Sequence, residues 1–415
     1  MNWIMRITKL ELKNVGVFAH QVLEFNKIQS EGKAEVHILT GVNGSGKSTI
    51  LYALACAFID GPRNLLHPRF RFRSAQGEDQ TSEAVIGFDD GDQRLVSFGS
   101  NSGKPQYLIQ DERYAFAAFA YSGNRSIRSA QVNGIVELTE APLNRSLDFY
   151  GNINSQYLLQ WIANTHAKAA FAGQDNQPQK SERFVATLEK IEQAIKRITG
   201  QEVEFEFQYD PIISVSVKVD RQYLPLNVLP DGLNAVISWI ADLLMRLDRM
   251  PWANDIDILD RNFILFLDEI EIHLHPAWQR KILPVVQTLF KNAQIFIATH
   301  SPFVVASVSD AWIYKLTVKN GQGTLAEVLE AKEGSSYPTV LAEIFGIDEY
   351  FSVEMQSKLD VFYRYRNELM NGVESHRDDF LKLSQELSET SVEINDIVGR
   401  EIRQLQRITG KEFAL

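Results

Sequence analysis

The chain has 415 residues, enough for two to four domains at roughly 100–200 residues each. Forty-two Lys+Arg against 53 Asp+Glu leave a net charge of −11, and 45% hydrophobic with 23% charged residues is an ordinary globular composition, which excludes wholesale disorder and fibrous classes. A single cysteine, Cys56, excludes a disulfide framework and a cysteine-based zinc module and suits a reducing compartment.

The apolar run Leu51 to Ile59, which Ile50 extends by one residue, is far short of the ~20 residues that span a bilayer. Arg6 and Lys9 stand where a secretion signal would need its apolar core. The expectation is a soluble cytoplasmic protein with no membrane partner. Its acidic balance argues against non-specific coating of nucleic acid.

Residues 4–28 alternate apolar and polar positions and predict two short strands. Val36–Leu39 is a compact apolar strand, Gly41–Thr49 a glycine-rich turn, and Ile50–Phe58 an all-round apolar, hence buried, helix. Strands follow from Arg69 to about Phe119, with Ala84–Phe88 and Arg94–Phe98 flanking an Asp-Asp-Gly-Asp hairpin turn. Residues 152–200 read as helical around a polar loop at Gly173–Ser181, and Glu202–Phe207 and Ile212–Val219 as strands. Leu233–Leu247 carries a helical apolar stripe; Phe263–Leu267 and Ile295–Ala298 are strands buried on both faces. Beyond about residue 335 the pattern is helical, with an amphipathic stretch marked by Leu383, Leu387, Ile394, Ile397 and Val398. Arg197-Ile-Thr-Gly-Gln-Glu echoes Arg407-Ile-Thr-Gly-Lys-Glu, which six positions are too few to make a repeat.

Gly41-Val-Asn-Gly-Ser-Gly-Lys-Ser-Thr49 fits G-x-x-x-x-G-K-[S/T] between a strand and a helix, the context that gives this motif its meaning. Gly41, Asn43, Gly44, Ser45, Gly46 and Thr49 would wrap backbone N–H groups around a nucleotide's phosphates at the helix N-terminus. Lys47 would neutralise the β- and γ-phosphates, and the Ser48 hydroxyl would ligate Mg²⁺. Phe263–Leu267 then carries Asp268 to a strand's carboxyl end, where it would hold the magnesium shell. Glu269 is the candidate general base for the attacking water. His300, in Thr299-His-Ser-Pro302, ends another apolar strand and is a candidate γ-phosphate sensor. Glu269, Glu271, His273 and His275 alternate as ligands on a strand face would, but Pro276 closes the run without a third cluster, which disfavours a transition-metal site.

These segments, in this order, resemble the RecF/SMC/ABC-type branch of P-loop ATPases, and most closely the AAA ATPase subunits of bacterial antiphage systems such as PARIS and Septu. The Met5–Phe25 opening, Leu267-Asp-Glu-Ile-Glu-Ile-His-Leu-His-Pro276, Thr299–Pro302 and Leu229-Pro-Asp-Gly232 carry the resemblance, which covers residues 1–320 well and the tail loosely. It implies ATP and Mg²⁺ as cofactors and two subunits that sandwich the nucleotide. Leu229–Gly232 resembles the signature loop, with Asp231 and Gly232 meeting the γ-phosphate held by the other copy. Pro230 stands where that loop usually has serine, which implies slow or partner-dependent hydrolysis. Tyr121-Ser-Gly-Asn-Arg125 resembles a Tyr-Gly-x-x-Arg element of the same proteins; Arg125 is either a phosphate or subunit contact or a solvated loop arginine.

The 182 residues from Ser48 to Pro230 are largely taken up by the strand subdomain and the helical insert, whereas long coiled-coil arms need hundreds of heptad-patterned residues, so such arms are not expected. Pro-Asp-Gly disfavours a transporter subunit, and a helical tail without clustered carboxylates disfavours an in-chain nuclease. Arg69-Phe-Arg-Phe-Arg73 puts three arginines on one strand face, either a phosphate grip or, the reading favoured, a solvated face.

The expected fold is therefore α/β: an ATPase core with an antiparallel strand subdomain, a helical insert and a helical C-terminal region. Its expected boundaries are 1–130 (P-loop half and strand subdomain), 131–222 (helical insert and strands), 223–330 (second core half) and 331–415 (helical appendage). The resemblance implies an ATP-hydrolysing sensor or scaffold that oligomerises and controls a separate effector, such as a Toprim or HNH nuclease, with nucleic acid or a phage protein as further candidate partners. A RecF-like DNA-binding ATPase of repair is the alternative.

Overall fold

The computed structural model describes residues 5–27, 32–58, 63–69, 82–97, 100–102, 109–110, 113–123, 130–132, 134–151, 153–210, 212–331, 336–347 and 351–413. The chain divides into two compact units, Met1–Phe345 and Gly346–Leu415.

The first unit opens with β1 (Ile7–Val15) and β2 (Phe18–Glu24), paired antiparallel as their alternation predicts. β3 (Glu35–Gly41) runs through the glycine loop into α1 (Lys47–Ala55), and α2 (Arg63–Leu66) is a single turn. Arg69 closes a short 3-10 turn, and the rest of the Arg69–Arg73 series lies outside the described residues. β4 (Glu83–Phe88) and β5 (Gln93–Ser97) form the expected hairpin; β6 (Ser100–Ser102), β7 (Ile109–Gln110) and β8 (Arg113–Tyr114) are short, and β9 (Ala117–Ser122) is wholly buried.

α3 (Ser155–Gln174) and α4 (Pro178–Thr199) follow, separated by only Asp175–Gln177. The loop is shorter than the polar residues suggest because Pro178 begins α4, where a missing N–H costs nothing. β10 (Val203–Gln208), β11 (Ser214–Val219) and β12 (Gln222–Leu224) make an antiparallel sheet. Then come α5 (Asp231–Arg249), β13 (Phe263–Asp268), α6 (Pro276–Leu289), β14 (Gln294–Ala298) and the short α7 (Pro302–Val305). β15 (Ala311–Lys319) and β16 (Gln322–Glu330) add an antiparallel pair beyond the predicted elements, before the turn α8 (Tyr337–Val340).

The central sheet has the order β16-β15-β3-β14-β13-β9, all neighbours parallel except β15 and β16. Five antiparallel strands in the order β2-β1-β4-β5-β6 form a separate sheet. Strand alternation then sorts β13. Phe263, Leu265 and Leu267 enter one hydrophobic cluster with helices α3 to α6, while Ile264 and Phe266 enter the other with α1. By the same period Asp268 falls on the α1 side. That single parity decides which helix can reach its carboxylate.

The second unit packs α9 (Val353–Met370), α10 (Arg377–Ser388) and α11 (Val392–Thr409) around Phe362, Phe380, Leu387, Val398 and Leu405. The predicted amphipathic stretch is thus two helices. Ser391, whose hydroxyl accepts the Ile394 N–H at 3.2 Å, caps the second. The two Arg-Ile-Thr-Gly echoes are the same local device. Gly200 and Gly410 end α4 and α11 at φ 79 and 69, each donating to the carbonyl four residues back.

Candidate functional site

The parallel strands end in register. Leu39 lies opposite Ala298, Ala298 opposite Asp268, and Asp268 opposite Ser122, so four strand ends open on one edge. Backbone bonds extend the ladder one step further: Thr299 N–H to Leu39 O at 3.1 Å, Glu269 N–H to Ala298 O at 2.9 Å and Gly123 N–H to Asp268 O at 2.8 Å. Carboxyl ends of parallel strands are where open α/β sheets bind ligands.

Three glycines shape the loop above this edge. Gly41, Gly44 and Gly46 have φ of 144, 78 and 98, values that side chains resist. A Cβ on Gly46 would lie 2.4 Å from the Phe18 ring, whereas one on Gly44 would meet nothing within 4 Å. The loop is thus gripped from below by the β1–β2 turn and open above. Asn43 is exposed, and the buried Ser45 Oγ has no hydrogen-bond partner among the described residues. Thr49 is buried, its Cγ2 only 3.0 Å from where a Gly16 Cβ would stand, so its side chain packs beneath the loop.

Lys47 donates to the Gly41 and Val42 carbonyls at 3.0 and 3.2 Å, which folds its ammonium over the loop. Burial lowers its pKa, against the opposing pull of Glu269, Asp268 and Glu271. Ser48, from α1, donates to Asp268 Oδ1 at 3.1 Å. Tyr52, one turn on, donates to Oδ2 at 3.1 Å. Asp268 is 3% exposed, and burial pushes its carboxyl up to about 6, although the two hydroxyls favour the ionised form. A hydroxyl and a carboxylate facing one another are hard oxygen donors of the kind that suit Mg²⁺.

Glu269 stands just beyond, with φ 54, an uncommon setting for a non-glycine residue. Its carbonyl leaves no room at Gly123, where a Cβ would come within 2.2 Å. The Glu269 carboxylate is half exposed and lies 3.9 Å from His300 Nε2. Burial, then Lys47, hold the His300 imidazole below its ordinary pKa, which keeps it neutral at pH 7. Lys47, Ser48, Asp268, Glu269 and His300 therefore gather at one edge, as the motifs predict.

Asp231 and Gly232 lie elsewhere in this chain, at the N-terminus of α5. The nearest neighbours of Gly232 are the His273 carbonyl and Trp278, not the glycine loop. Glu269–His275 forms turns with His273 at φ 67, so its alternation does not create a ligand face. Among the described residues no group of three His, Cys, Asp or Glu side chains could hold a metal ion. Tyr121 turns inward and donates to Asp242 Oδ2 at 2.8 Å; Arg125 lies outside the described residues.

Residues 36–306 match the family described as "AAA domain, putative AbiEii toxin, Type IV TA system". The chain belongs to this AAA family. Residues 5–62 match a second description, "AAA domain". Among curated proteins it is 30% identical over 205 residues to the Retron Ec83 probable ATPase of Escherichia coli, covering 49% of this chain and 36% of that one. It is 21% identical to the Septu protein PtuA of Bacillus thuringiensis, covering 83% of this chain and 85% of that one. It is 25% identical to the Retron Vc95 probable ATPase of Vibrio cholerae serotype O1 biovar El Tor, covering 33% and 27%. The chain thus spans about a third of the length of the retron relatives. Among solved structures, an SmcHead bound to the C-winged helix domain of ScpA aligns with a TM-score of 0.46 and 14% identity, covering 78% of this chain and 97% of that one. No helix among the described residues is long and apolar enough to cross a membrane.

Two residues of this AAA domain's site escaped the sequence reading. Tyr52 had a signal, since it lies four residues after Ser48 on one helix and so on the same face. Glu271 had none beyond the alternation. It is 8% exposed, and its Oε1 accepts the Thr299 hydroxyl at 2.5 Å and the His300 N–H at 3.0 Å, so it fastens the His300 loop to the turn after β13. Burial raises its pKa. Replacing Glu271 by Ala strands both donors, each at about 1–3 kcal/mol. Glu271→Gln keeps a carbonyl acceptor. In equilibrium denaturation E271Q is expected to lie nearer the wild type than E271A; the reverse order would mean that the bridge contributes nothing.

Proposed function

We propose that this chain is the ATP-binding and hydrolysing subunit of an antiphage defence system, closing on nucleotide with a second copy of itself and thereby controlling a separate effector protein. The observation that supports this most is the Ser48–Asp268 contact at 3.1 Å, between residues 220 positions apart, beneath Lys47. The loop's N–H groups, with Lys47, would hold the triphosphate, and Ser48 with Asp268 would hold Mg²⁺. The metal ion, when bound, supplies charge neutralisation to the phosphates.

In this reading Glu269 would take a proton from water at the open edge, and neutral His300 would hydrogen-bond a phosphate oxygen. Asp231 and Gly232 would serve the site of the second copy, where the α5 N-terminus presents N–H groups and its dipole to an anion. Pro230 supplies no N–H there, which fits slow or partner-dependent turnover. Phosphoryl transfer depends mainly on positioning and charge, so subunit closure is a natural gate. The retron and Septu relatives support the defence role, and the antiphage resemblance of the motifs is what implies a separate effector such as a nuclease.

The test is native mass measurement of the purified chain, and of the chain expressed with its neighbouring genes, with and without ATP and Mg²⁺. Nucleotide-dependent pairing and a retained effector are expected. A single copy under all conditions would overturn the reading, and ATP-dependent binding of duplex ends by the isolated chain would favour DNA clamping instead.

A further inference from the structure

Asp268 has two carboxylate oxygens, and the chain uses them differently. Oδ1 accepts from Ser48 at 3.1 Å, and Oδ2 accepts from Tyr52 at 3.1 Å. The Tyr52 hydroxyl is also 3.2 Å from that of Tyr150. A phenol has one proton, and a carboxylate can only accept. With Tyr52 committed to Asp268, Tyr150 must be the donor of the pair. The bonds therefore run one way, from Tyr150 through Tyr52 to Asp268.

The Tyr52 ring is fixed on both counts that matter. Phe149 meets it edge-on with centroids 4.7 Å apart, and the Arg69 guanidinium lies 4.9 Å from its centroid. The irregular segment that carries Phe149 and Tyr150 is pinned in turn. Arg246 of α5 donates to the Pro142 and Asn144 carbonyls at 2.7 and 2.8 Å, and Arg249 donates to those of Leu138 and Glu140 at 3.0 and 2.6 Å.

We propose that Tyr52, oriented by Tyr150, is a positioning residue that holds the Asp268 carboxylate in the rotamer needed for a divalent cation beside Ser48. This rests on the nucleotide-binding reading above. Without the Tyr52 hydroxyl, Oδ2 is a buried acceptor with no donor among the described residues, and the carboxylate turns to find one. Such supporting hydrogen bonds orient ligands without touching the metal ion.

The experiment is a Mg²⁺ titration of fluorescent mant-ATP binding to the full chain, with a parallel binding curve in EDTA. Tyr52→Phe is expected to leave binding in EDTA unchanged and to raise the half-saturating Mg²⁺ concentration about 10-fold. Tyr150→Phe, at a residue 46% exposed and so tolerant of the change, is expected to move it less and in the same direction. The double variant is expected to match Tyr52→Phe, because both hydroxyls act through one chain of bonds. A purely structural role would lower thermal stability and leave the Mg²⁺ curve in place. Mg²⁺ curves of Tyr52→Phe and Tyr150→Phe coinciding with the wild type, with nucleotide binding intact, would overturn this inference alone. Should Tyr52→Phe not fold, coincidence of the Tyr150→Phe curve suffices. A wild-type chain that binds no mant-ATP at all would overturn the nucleotide-binding reading and this inference with it.

Discussion

Glu269→Gln is expected to lower ATP turnover by about 10²–10⁴-fold, the range removed with a general base, while nucleotide binding with Mg²⁺ stays intact. The reasons are geometric. Glu269 follows Asp268 directly, so it stands next to the proposed cation site, yet its φ of 54 turns it off the strand and away from the buried face that Asp268 occupies. Its carboxylate is half exposed and reaches within 3.9 Å of His300. A carboxylate open to water on one side and beside a neutral imidazole on the other can accept a proton; an amide of the same shape cannot. Phosphate release at saturating nucleotide measures the loss, and mant-ATP titration checks that binding survives. Unchanged turnover in Glu269→Gln would mean that the chain uses ATP as a gate for assembly without this base.

The site was legible because its residues announce themselves in strict local order. A glycine loop between strand and helix, and an acidic pair after five apolar residues, each need only a short window. Ser48 and Asp268 could be paired on motif logic before their contact was seen. What supports them was less legible, because it depends on parity and tertiary approach. Asp268 meets Tyr52 only because β13 alternates with Ile264 and Phe266 facing α1, and nothing in the sequence around Tyr150 indicates that it reaches the same hydroxyl. The β15–β16 pair was missed for a related reason. β16 is an edge strand with mixed burial, and Gln322–Glu330 lacks the strong apolar run that marks central strands. The Glu269–His275 alternation, conversely, looked like a strand and folds as turns, since the positive φ at Glu269 and His273 breaks the extended path. Gly232 was read for its loop type, but its local need for glycine is the His273 carbonyl that a Cβ would approach within 2.8 Å.

Gly41→Ala is expected to destabilise the first unit by about 2–5 kcal/mol, through backbone strain and overpacking together. Gly41 ends β3 at φ 144, and a Cβ there would lie 2.1 Å from the Leu316 carbonyl oxygen and 2.9 Å from its carbon. Those are backbone atoms. Leu316 is paired directly with Gly41 across β3 and β15, and β15 is held on its other side by β16, so the carbonyl has nowhere to retreat. Relief requires β3 and β15 to part at the point where the phosphate loop begins, which also removes the Gly41 carbonyl that Lys47 uses. Gly44→Ala is the matched control: its φ is 78 and no atom lies within 4 Å of the added carbon, so it meets only the left-handed backbone penalty of about 1–2 kcal/mol. Chemical denaturation of the nucleotide-free chain, following the transition of the first unit, separates the two. Gly41→Ala as stable as Gly44→Ala would mean that β15 does not press against the base of the loop, and the loop's shape would then need another cause.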